Sequence, residues 1–543
     1  MKILIAAQMR EADRLTTERY GVPSDLLMEN AGAAIASYLA DAYPEINTYR
    51  VLILCGKGNN GGDGLVVARR LRERGLAPSV VLFAEPSAMR GDAATNLARW
   101  QRGNGDLRVV TSKAEWDVAR EILTEADLIV DALLGTGLTG PVEGLFAQVI
   151  EDVNTRSNVD AAHSSAHPAK RRRIVAVDMP SGLASDAVDY GGPVIMADAT
   201  VTLTAPKVGQ MVSPRAASVG KLVVREIGTP PELLDDDPHL KLHWLEPREF
   251  RALPLVRRAD SNKGTYGHAL IVAGSLGKSG AAVMAGRSAL RSGAGLVTVA
   301  TPLDVLPIVA AGMPELMTAP LLSTETGSAS MANFDYDRFA GIVHGKRVVA
   351  IGPGLTTDVQ ASQFIRTAVM GTELPVILDA DGLNAFDGET DKLNARKTQL
   401  LVITPHPGEM ARLLGSTAAE VQKRRLDVAL EAAARWHAYV ILKGYHTILA
   451  LPDGRAYVNS TGNPGMATGG TGDVLTGILA GLTAQFGTDH WERALGLGIY
   501  LHGLAGDLAA ARVGEAPLVA TDLIESLPAA YSKVLADCGY TEY

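Results

Sequence analysis

The feature that most constrains this chain is a repeating unit: a short aliphatic run, then a glycine-rich turn, then an amphipathic stretch. The aliphatic runs are continuous rather than alternating with polar residues, which is typical of strands buried on both faces. Because helical stretches separate the runs, the pattern predicts an α/β protein with mostly parallel sheets, covered by helices on both faces. The predicted strands are Val51–Cys55, Val80–Phe83, Leu128–Ala132, Ile174–Asp178 and Thr200–Thr204, followed by Ala269–Ala273, Leu296–Ala300, Val348–Ile351, Val376–Asp379, Leu401–Thr404 and Val440–Lys443.

The strand–turn–helix pattern occurs in two series along the chain, and the residues between the two series predict a domain boundary. The segment 229–249 combines prolines and an acidic run without apolar periodicity, so it is predicted as a linker. We therefore expect domains over residues 1–228 and 250–543. A second irregular stretch, Thr155–Arg173, is predicted as a surface insertion, with a functional basic patch at Lys170–Arg173 as the alternative.

Charge and cysteine content exclude several classes of protein. Acidic residues (60) exceed basic residues (51), for a net charge of −9, whereas nucleic-acid-binding proteins carry a basic excess. The cysteines, Cys55 and Cys538, are too few for a disulfide framework and favour a reducing compartment. The N-terminal apolar run is shorter than a signal peptide requires, and no uncharged apolar run is long enough to span a membrane. These patterns favour a cytoplasmic protein without nucleic-acid or membrane partners.

In the first half, three polar loops follow predicted strands. The strand Val51–Cys55 leads into GKGNNGGDG and then a helix, an arrangement that points backbone N–H groups at an anion; a simple tight turn is the alternative. This spacing matches neither the dinucleotide fingerprint G-x-G-x-x-G nor a P-loop. The other two loops follow Asp131 and Asp178. Ligands of parallel sheets bind at the carboxyl ends of the strands, so we expect the three loops to converge there.

Four side chains in these loops are candidates for chemistry. Asn60, Asp131 and Ser181 offer only oxygen ligands, which suits a hard cation such as an alkali metal or Mg²⁺. Asp131 is equally well explained as a helix N-cap. Asp178 precedes Met-Pro-Ser-Gly, a stiff turn that would hold its carboxylate as an acid or base.

Taken together, LMENAG, GNNGGDG, DALLGTG and VDMPSG resemble the NAD(P)H-hydrate epimerase family over about residues 1–228. The resemblance implies a Rossmann-like domain that interconverts the R and S forms of hydrated NAD(P)H (NAD(P)HX). It implies that Asn60, Asp131 and Ser181 hold K⁺ and that Asp178 acts on the hydrate. The residues implied to bind the hydrate are Asn59, Asn60, Gly61, Gly62, Asp63, Gly135, Thr136, Gly137, Leu138, Thr139, Gly140, Pro141 and Asp178.

In the second half, the segment Asn463–Leu482, NPGMATGGTGDVLTGILAGL, carries the strongest motif. Its glycines precede a predicted helix, Asp473–Leu482, so their N–H groups and the helix dipole form a site for negative charge. Asp473 lies beside that site, where it would take a proton from a substrate hydroxyl during phosphoryl transfer. The alternative is that Asp473 only caps the helix.

Further strand-end residues indicate a nucleotide site. Lys443 in LKGYHT would neutralise phosphate, or would simply be solvated. His406 in TPHPGEM would bind phosphate or ribose, or would be a structural residue between two prolines. The turns Gly352–Gly354 and Asp379–Ala385 also end strands, and the aspartates of the second would contact substrate or Mg²⁺-bound water.

The order of these motifs resembles the ribokinase-like superfamily and, more narrowly, the ADP/ATP-dependent NAD(P)H-hydrate dehydratases, over about residues 250–543. The motifs are NKGTYGHALIVAGS, SGAAVMAGRSALRSGAGLV, IGPGL, DADGLN, TPHPGE, LKG and GGTGD. One departure is Thr356, which stands where glycine is expected. The resemblance implies that Ala281, Gly354, His406 and Asp473 contact the hydrate, with Asp473 catalytic, and that the nucleotide contacts Lys443, Gly444, Tyr445, His446, Thr447 and Gly472.

The two resemblances imply one chain with two repair activities. It would epimerise R- and S-NAD(P)HX and would dehydrate the S form to NAD(P)H, releasing AMP (or ADP) and phosphate. The implied cofactors are K⁺ for the first domain and Mg²⁺ for the second, with ADP as phosphoryl donor and ATP as a possible one. NADHX, NADPHX and ADP are the expected small-molecule partners, and a homo-oligomer is expected. The alternatives are a small-alcohol kinase with a non-catalytic N-terminal binding domain, and a nucleotide sensor.

Overall fold

Two β-sheets, one of seven strands and one of ten, organise the protein. The structure is a computed structural model, and it describes residues 1–159, 172–186 and 189–540. The chain divides into two units, Met1–Leu240 and Lys241–Tyr543. This division lies inside the segment 229–249 that is predicted as a linker. Most of the predicted insertion, including Lys170 of the candidate basic patch, lies outside the described residues. Arg172 is buried and donates a hydrogen bond to the Ala126 carbonyl, so it does not contribute to an exposed patch.

The sheet of unit 1 is parallel throughout, in the order β3-β2-β1-β4-β5-β6-β7. This is the Rossmann strand order with one added strand, and the order reverses between β1 and β4. The strands are β1 Val51–Cys55, β2 Ser79–Leu82, β3 Leu107–Val109, β4 Leu128–Ala132, β5 Arg173–Val177, β6 Ala199–Leu203 and β7 Lys221–Arg225. The helices are α1 Ala6–Glu18, α2 Ser24–Ala42, α3 Asn59–Glu73, α4 Gly91–Arg102, α5 Lys113–Ala119, α6 Ile122–Glu125, α7 Gly144–Val159, α8 Val208–Val212 and α9 Glu232–Asp235.

Strand β1 shows why the sequence runs are aliphatic without alternation. Val51 and Ile53 pack into one hydrophobic core, whereas Leu52 and Leu54 pack into a second core across the sheet. Successive side chains of a strand point to opposite faces, so both faces of β1 need apolar residues. Helices therefore cover the sheet on both sides, as the sequence predicts.

The glycines after β1 allow α3 to begin directly against the strand ends. A Cβ on Gly56 would lie 2.0 Å from the Leu133 carbonyl oxygen, and one on Gly61 would lie 1.9 Å from the Gly56 carbonyl oxygen. Only glycine permits such close backbone contacts. The loops after β1 and β4 therefore lie side by side where the strand order reverses, which is the usual ligand position in such sheets.

The sheet of unit 2 has the order β11-β10-β9-β12-β13-β14-β15-β16-β17-β8 and is parallel except at the pairs β15–β16 and β16–β17. Its strands are β8 Leu242–Trp244, β9 His268–Val272, β10 Leu296–Pro302, β11 Met317–Leu321, β12 Val348–Ile351, β13 Val376–Leu378, β14 Leu401–Ile403, β15 Tyr439–Leu442, β16 Thr447–Ala450 and β17 Ala456–Asn459. Its helices are α10 Ser279–Arg291, α11 Leu306–Ala311, α12 Arg338–Val343, α13 Val359–Gly371, α14 Asp381–Asn384, α15 Pro407–Leu414, α16 Ala418–Lys423, α17 Arg425–Trp436, α18 Thr471–Phe486, α19 Trp491–Val513 and α20 Ala520–Asp537.

The α/β class with mostly parallel sheets is confirmed, and every predicted strand is present with ends that differ by at most two residues. The strands absent from the prediction are short or at the sheet edges, or belong to the β15–β17 meander. Because an edge strand is covered less completely, it does not need a continuous aliphatic run. The predicted linker itself contains α9 and β8, and β8 pairs with β17.

Among the described residues, one helical stretch, Thr488–Val513, is long and apolar enough to cross a membrane by length and composition alone. Its mean hydropathy is 1.3, and 67% of its most apolar window is buried inside the protein. A buried apolar helix of this kind is typical of a protein core.

Close packing between α10 and α18 determines where α18 begins. A Cβ on Gly477 would lie 2.1 Å from both the Ala285 carbonyl oxygen and the Ser288 hydroxyl, and one on Gly481 would lie 2.4 Å from the Ala289 carbonyl oxygen. The backbones of the two helices therefore approach each other along glycines of α18. This contact holds the N-terminus of α18 at the carboxyl end of the sheet.

We expect Gly477→Ala to destabilise unit 2 by about 1–3 kcal/mol, because the added methyl group has no space between the helices. The measurement is hydrogen exchange at increasing urea concentrations, read from peptides of α18. The urea concentration at which these peptides lose half of their protection reports on unit 2 alone. Gly341→Ala is the matched control: a Cβ there meets nothing within 4 Å, so alanine should leave stability unchanged or raise it by about 0.5–1 kcal/mol. Equal midpoints for Gly477→Ala and the wild type would contradict the close helix contact.

Candidate active sites

Unit 1 contains a cavity of about 1190 Å³ at the carboxyl ends of its strands. Most of the residues predicted to bind the hydrate line this cavity: Asn59, Asn60, Asp63, residues 135–141 and Asp178. Gly61 and Gly62 do not line it. They pack behind its wall, Gly61 against Gly56 and Gly62 against Met28. The structure therefore brings the three predicted loops together and gives these two glycines a structural role.

Asp178 is held rigidly at the end of β5. Its backbone has φ of 59°, a left-handed conformation that is uncommon outside glycine, and its N–H donates to the Val201 carbonyl (2.9 Å). One carboxylate oxygen accepts hydrogen bonds from the Thr202 hydroxyl (3.0 Å), the Leu203 N–H (3.1 Å) and the Lys207 ammonium (2.5 Å). The carboxylate is therefore fixed in the cavity wall.

Lys207 is a site residue that the sequence analysis missed. Its side chain is 1% exposed, and its ammonium donates to Asp178, to the Thr202 hydroxyl (2.9 Å) and to the Leu203 carbonyl (2.9 Å). These bonds use all three ammonium hydrogens. The signal in the sequence is a single lysine within an apolar segment after β6, a place where a solvated lysine is not expected.

Two further carboxyl groups lie in the same cavity. Burial, with smaller effects from Asp178 and Asp13, raises the pKa of Asp63 well above its ordinary value. Burial also raises the pKa of Asp13 to about 6; Lys207 opposes this rise and Asp178 adds to it. Asp13 lies on α1 and has no counterpart among the predicted site residues. The cavity thus surrounds one buried ammonium with three carboxyl groups.

Asn60, Asp131 and Ser181 come together around the Leu134 carbonyl, as the sequence predicts for loops that converge. The Asn60 amide donates to this carbonyl (3.0 Å), and the Ser181 hydroxyl lies 3.3 Å from it and 2.6 Å from an Asp131 carboxylate oxygen. The Ser181 N–H also donates to Asp131 (2.7 Å). The interpretation of Asp131 as a helix cap is wrong, because this residue lies within β4 and the next helix begins at Gly144.

Asp131 is fully buried, and its charge is not matched by a basic side chain among the described residues. Burial raises the pKa of Asp131 to about 6, although hydrogen bonds from Ser181 and Leu133 oppose the rise. A buried carboxylate normally needs a cation nearby. The Ser181 hydroxyl and the Leu134 carbonyl near it, together with the side-chain oxygen of Asn60 next to Gly135, are oxygen ligands that suit a hard cation.

In unit 2, Asp473 lies in the first turn of α18, as predicted, although this helix begins earlier, at Thr471. The N-cap is Gly470, with φ of 92°, so Asp473 is not the helix cap. Burial raises the pKa of Asp473 to about 7; Asp379, Asp381 and Glu409 add to the rise and Lys443 opposes it. Asp473 is therefore able to exchange a proton near neutral pH.

Lys443 lies beside Asp473 and pairs with a second aspartate. Its ammonium donates to Asp379 (2.7 Å) and lies 3.6 Å from Glu409, and only 20% of its side chain is exposed. The interpretation of Lys443 as a simply solvated lysine is wrong. Burial alone would raise the pKa of Asp379, but Lys443 together with hydrogen bonds from Thr476 and Thr404 lowers it. A Cβ on Gly472 would lie 3.4 Å from the Lys443 ammonium, so the glycine motif and this pair adjoin.

His406 has a structural role through Nδ1, and its Nε2 lies 3.5 Å from a Glu409 carboxylate oxygen. Its Nδ1 accepts hydrogen bonds from the N–H groups of Gly408 (3.0 Å) and Glu409 (3.3 Å), and thereby caps α15. Burial lowers the pKa of His406, an effect that Glu409 opposes and Lys443 reinforces. The neutral ring therefore keeps Nε2–H as a donor, and half of the side chain is exposed.

The remaining predicted contacts of the hydrate lie next to each other. A Cβ on Gly354 would lie 3.1 Å from the Ala281 Cβ, so these two residues form one surface. Thr356 has φ of 68°, which explains why glycine is expected at this position. Its N–H donates to Asp381 (2.9 Å) and its hydroxyl bonds to Ser328 (2.8 Å), interactions that offset the backbone strain.

The predicted nucleotide segment Lys443–Thr447 comprises the turn between antiparallel β15 and β16 and Thr447, the first residue of β16. Arg425, which the sequence analysis missed, holds this turn: its guanidinium donates to the carbonyls of His446 (3.1 Å) and Leu442 (3.5 Å). A Cβ on Gly444 would lie 2.4 Å from this guanidinium. Burial lowers the pKa of Arg425 to about 10. The exposed Tyr445 ring stacks on His446, with 4.1 Å between ring centroids.

Comparison with known proteins connects these two sites to one family. Residues 24–209 match the family model for the YjeF-related protein N-terminus, and residues 269–529 match the NAD(P)H-hydrate dehydratase model. The bifunctional NAD(P)H-hydrate repair enzyme Nnr of Moorella thermoacetica is 44% identical, over 97% of this chain and 96% of that protein. The chain belongs to the family of bifunctional NAD(P)H-hydrate repair enzymes.

Other members of the NAD(P)H-hydrate repair family also match over nearly the full length. The Nnr enzyme of Thermofilum pendens is 37% identical over 99% of this chain and 97% of that protein. The Nnr enzyme of Escherichia coli is 34% identical over 99% of this chain and 95% of that protein. Among solved structures, the ADP/ATP-dependent NAD(P)H-hydrate dehydratase from Bacillus subtilis, co-crystallised with ATP/Mg²⁺, is 32% identical. The match covers 54% of this chain and 98% of the Bacillus subtilis chain, with a TM-score of 0.46. Membership confirms the resemblance that the motifs of both halves suggest.

We expect Lys207→Met to destabilise unit 1 of this repair enzyme by about 3–5 kcal/mol, because it leaves the Asp178 carboxylate without its buried partner. The double variant Lys207→Met/Asp178→Asn should cost less than the sum of the two single changes. Denaturant midpoints for hydrogen exchange in β5 and β6 peptides measure the three costs. Lys221→Met, at an exposed position of β7, is the control and should stay within about 0.5 kcal/mol of the wild type. Strictly additive costs would show that the two side chains are not coupled.

Proposed function

We propose that the two activities of this bifunctional repair enzyme divide between its units. Residues 1–228 epimerise R- and S-NAD(P)HX, residues 250–543 dehydrate the S form with a nucleotide, and residues 229–249 link the two domains. The observation that carries this proposal is that each unit has its own buried lysine–aspartate pair at the carboxyl edge of its sheet. Each pair lies beside the loops that the corresponding family motif supplies.

In the epimerase cavity we assign binding of the hydrate to Asn59, Asn60, Asp63, residues 135–141 and Asp178. The glycine-rich loop and the N-terminus of α3 supply backbone N–H groups for the phosphates. Asp178, fixed by Lys207, acts on the C6 hydroxyl as an acid or base. Gly61 and Gly62 support this wall from behind, because they let α3 approach β1 and α2.

The cluster of Asn60, Asp131, Ser181 and the Leu134 carbonyl fits K⁺. The ligand atoms are all oxygens, and the buried Asp131 carboxylate pairs with no basic side chain among the described residues. These residues would hold the ion and thereby join the loops after β1, β4 and β5. When bound, the ion supplies positive charge next to the loop of residues 135–141, which lines the cavity.

In the dehydratase, Asp473 takes the proton of the S hydroxyl, and the hydroxyl oxygen attacks the terminal phosphorus of the nucleotide. AMP is released when ADP is the phosphoryl donor, and ADP is released when ATP is the donor. We favour ADP as the donor. The ring nitrogen next expels phosphate from C6, and loss of the C5 proton restores the double bond of NAD(P)H. The N–H groups of Gly469, Gly470 and Gly472 stabilise negative charge on the transferring group.

The nucleotide lies along the turn of residues 443–447 and the start of α18. Lys443, Gly444, Tyr445, His446, Thr447 and Gly472 bind it, and Ala281, Gly354, His406 and Asp473 bind the hydrate. The described residues contain no cluster of three His, Cys, Asp or Glu side chains that could hold a metal. Mg²⁺ would therefore be held mainly by phosphate oxygens and water near Asp379 and Asp381, and it supplies charge neutralisation on the phosphates. The homo-oligomeric state and the cytoplasmic location stay predictions.

The test is recovery of reduced-nicotinamide absorbance from racemic hydrated NADPH with Mg²⁺, with and without ADP or ATP. We expect complete recovery by the wild type with nucleotide, and none without it. Recovery of NADPH by the Asp178→Asn variant should stop at about half, the S fraction of the racemate, because the variant no longer converts the R form to the S form. Accumulation of a phosphorylated product in place of NADPH would instead support the small-alcohol kinase.

In the same assay, Asp473→Asn should lower the dehydration rate by about 10²–10⁴-fold, the usual contribution of a general base. It should leave conversion between the R and S forms intact, which is its internal control. Since a base works in its ionised form, wild-type dehydration should decline below about pH 7, where Asp473 becomes protonated. A near-normal dehydration rate in Asp473→Asn would refute this role.

We expect unit 1 to lose stability and epimerase activity when tetramethylammonium replaces K⁺, because that ion is too large for the cluster. An ion present at 100 times its Kd stabilises the folded state by about 2.7 kcal/mol. The measurement is hydrogen exchange of β4 peptides in both salts, and Ser181→Ala should reduce the difference. Dehydration of pure S-NADPHX is the control and should respond to neither change. No difference between the salts in the wild type would exclude the K⁺ site.

A further inference from the structure

One face of α1 forms part of the epimerase cavity. Met9, Asp13 and Thr17 follow each other at intervals of four residues, so they lie on one side of this helix, and all three line the cavity. Helix α1 precedes the segment 24–209 that matches the family model. The motifs of the first half begin at Leu27, so they include none of these residues.

The Asp13 carboxyl group differs from the other acidic side chains of its helix. Its Oδ1 is buried and has no hydrogen-bond partner in the part of the chain that the structure describes. By contrast, the exposed Glu11 on the same helix pairs with Arg14 at 2.7 Å. A buried acidic oxygen without a partner is unfavourable for stability, so its presence in a ligand cavity indicates a role in function.

Asp13 and Asp178 experience opposite surroundings. Asp178 accepts hydrogen bonds from an ammonium, a hydroxyl and a backbone N–H. Burial and the Asp178 charge instead favour the protonated form of Asp13, and Lys207 only partly opposes them. The other ionisable groups that line the cavity are Arg10, Arg14, Lys57, Asp63, Glu85 and Asp92. Two carboxyl groups in such different surroundings are the usual composition of an acid–base pair.

We propose that Asp13 is a second catalytic residue of the epimerase, the acid that works with Asp178 as the base. This inference rests on the proposed assignment of epimerase activity to unit 1. In the route we propose, the hydroxyl leaves C6 from one face of the ring and water adds from the other. This route uses an acid at the first face and a base at the second, roles that two separate carboxyl groups can fill.

The step balances without any further reactant. Asp13 gives its proton to the C6 hydroxyl, the C6–O bond breaks, and water leaves while the lone pair of the ring nitrogen forms a C=N bond. Water then adds to C6 from the opposite face, its proton passes to Asp178, and the C=N electrons return to nitrogen. At the end of the R-to-S step Asp13 is ionised and Asp178 is protonated. The S-to-R step starts from that state with the roles exchanged, and proton exchange with water restores the starting state for another R-to-S turnover.

The experiment uses NMR to follow the conversion of R-NADPHX to S-NADPHX by the full-length protein. Nucleotide is left out, so that unit 2 cannot dehydrate the S form. We expect Asp13→Asn to lower kcat by about 10²–10⁴-fold. The wild-type rate should fall as pH rises above about 6, because the acid must be protonated, and Asp13→Asn should lose this decline. Asp13→Glu, which keeps the acid, should restore part of the rate. Glu11→Gln, on the exposed side of the same helix, is the matched control and should behave as wild type.

Three outcomes would overturn the inference. The first is a wild-type rate in Asp13→Asn with the alkaline decline retained. The second is a lower rate with an unchanged pH profile and no rescue by glutamate, which would indicate a structural role. Hydrogen exchange in α1 and α3 peptides tests this separately, since a misfolded variant would lose protection there. The third is a wild-type chain that does not convert R to S at all, which would also overturn the proposed epimerase function.

Discussion

Both sites depend on places where backbones touch and no side chain fits. In unit 1, Gly56 and Gly61 bring α3 against the end of β1, so the loops after β1 and β4 share one cavity. In unit 2, Gly477 and Gly481 bring α18 against α10, which places the glycine motif and Asp473 at the edge of the sheet. Because these contacts exclude even a methyl group, the positions of the reactive carboxyl groups follow from the helix packing.

The two units use the same electrostatic arrangement with different residues. In each, a largely buried lysine pairs with one aspartate, Lys207 with Asp178 and Lys443 with Asp379. In each, the lysine only partly offsets the burial of a second aspartate, whose pKa is raised: to about 6 for Asp13 and about 7 for Asp473. One ammonium cannot neutralise several carboxylates in a low-dielectric cavity, so the pKa of the other carboxyl groups rises.

Much of the fold and of the site loops can be predicted from local patterns. Continuous aliphatic runs predict the central strands, and glycine loops mark where ligands bind, because both are properties of a few consecutive residues. The edge strand β8 is missed since its covering is incomplete and its pattern is weak. Lys207, Asp13 and Arg425 are missed for another reason. Asp13 and Arg425 look like ordinary charged residues in the sequence, and Lys207 is marked only by its apolar neighbours. Their contacts with groups far away along the chain give them a role.

The sequence by itself determined the α/β class, the succession of strands, the two families of motifs and the loops that carry Asp178 and Asp473. These follow from periodicity and from glycine and proline positions, which act over short distances along the chain. Only the tertiary structure decided the protonation and pairing of the site residues, such as Lys443 bound to Asp379 and His406 capping α15. Charge interactions in a buried site depend on distances between segments far apart in sequence, and those distances exist only once the helices have packed onto the sheets.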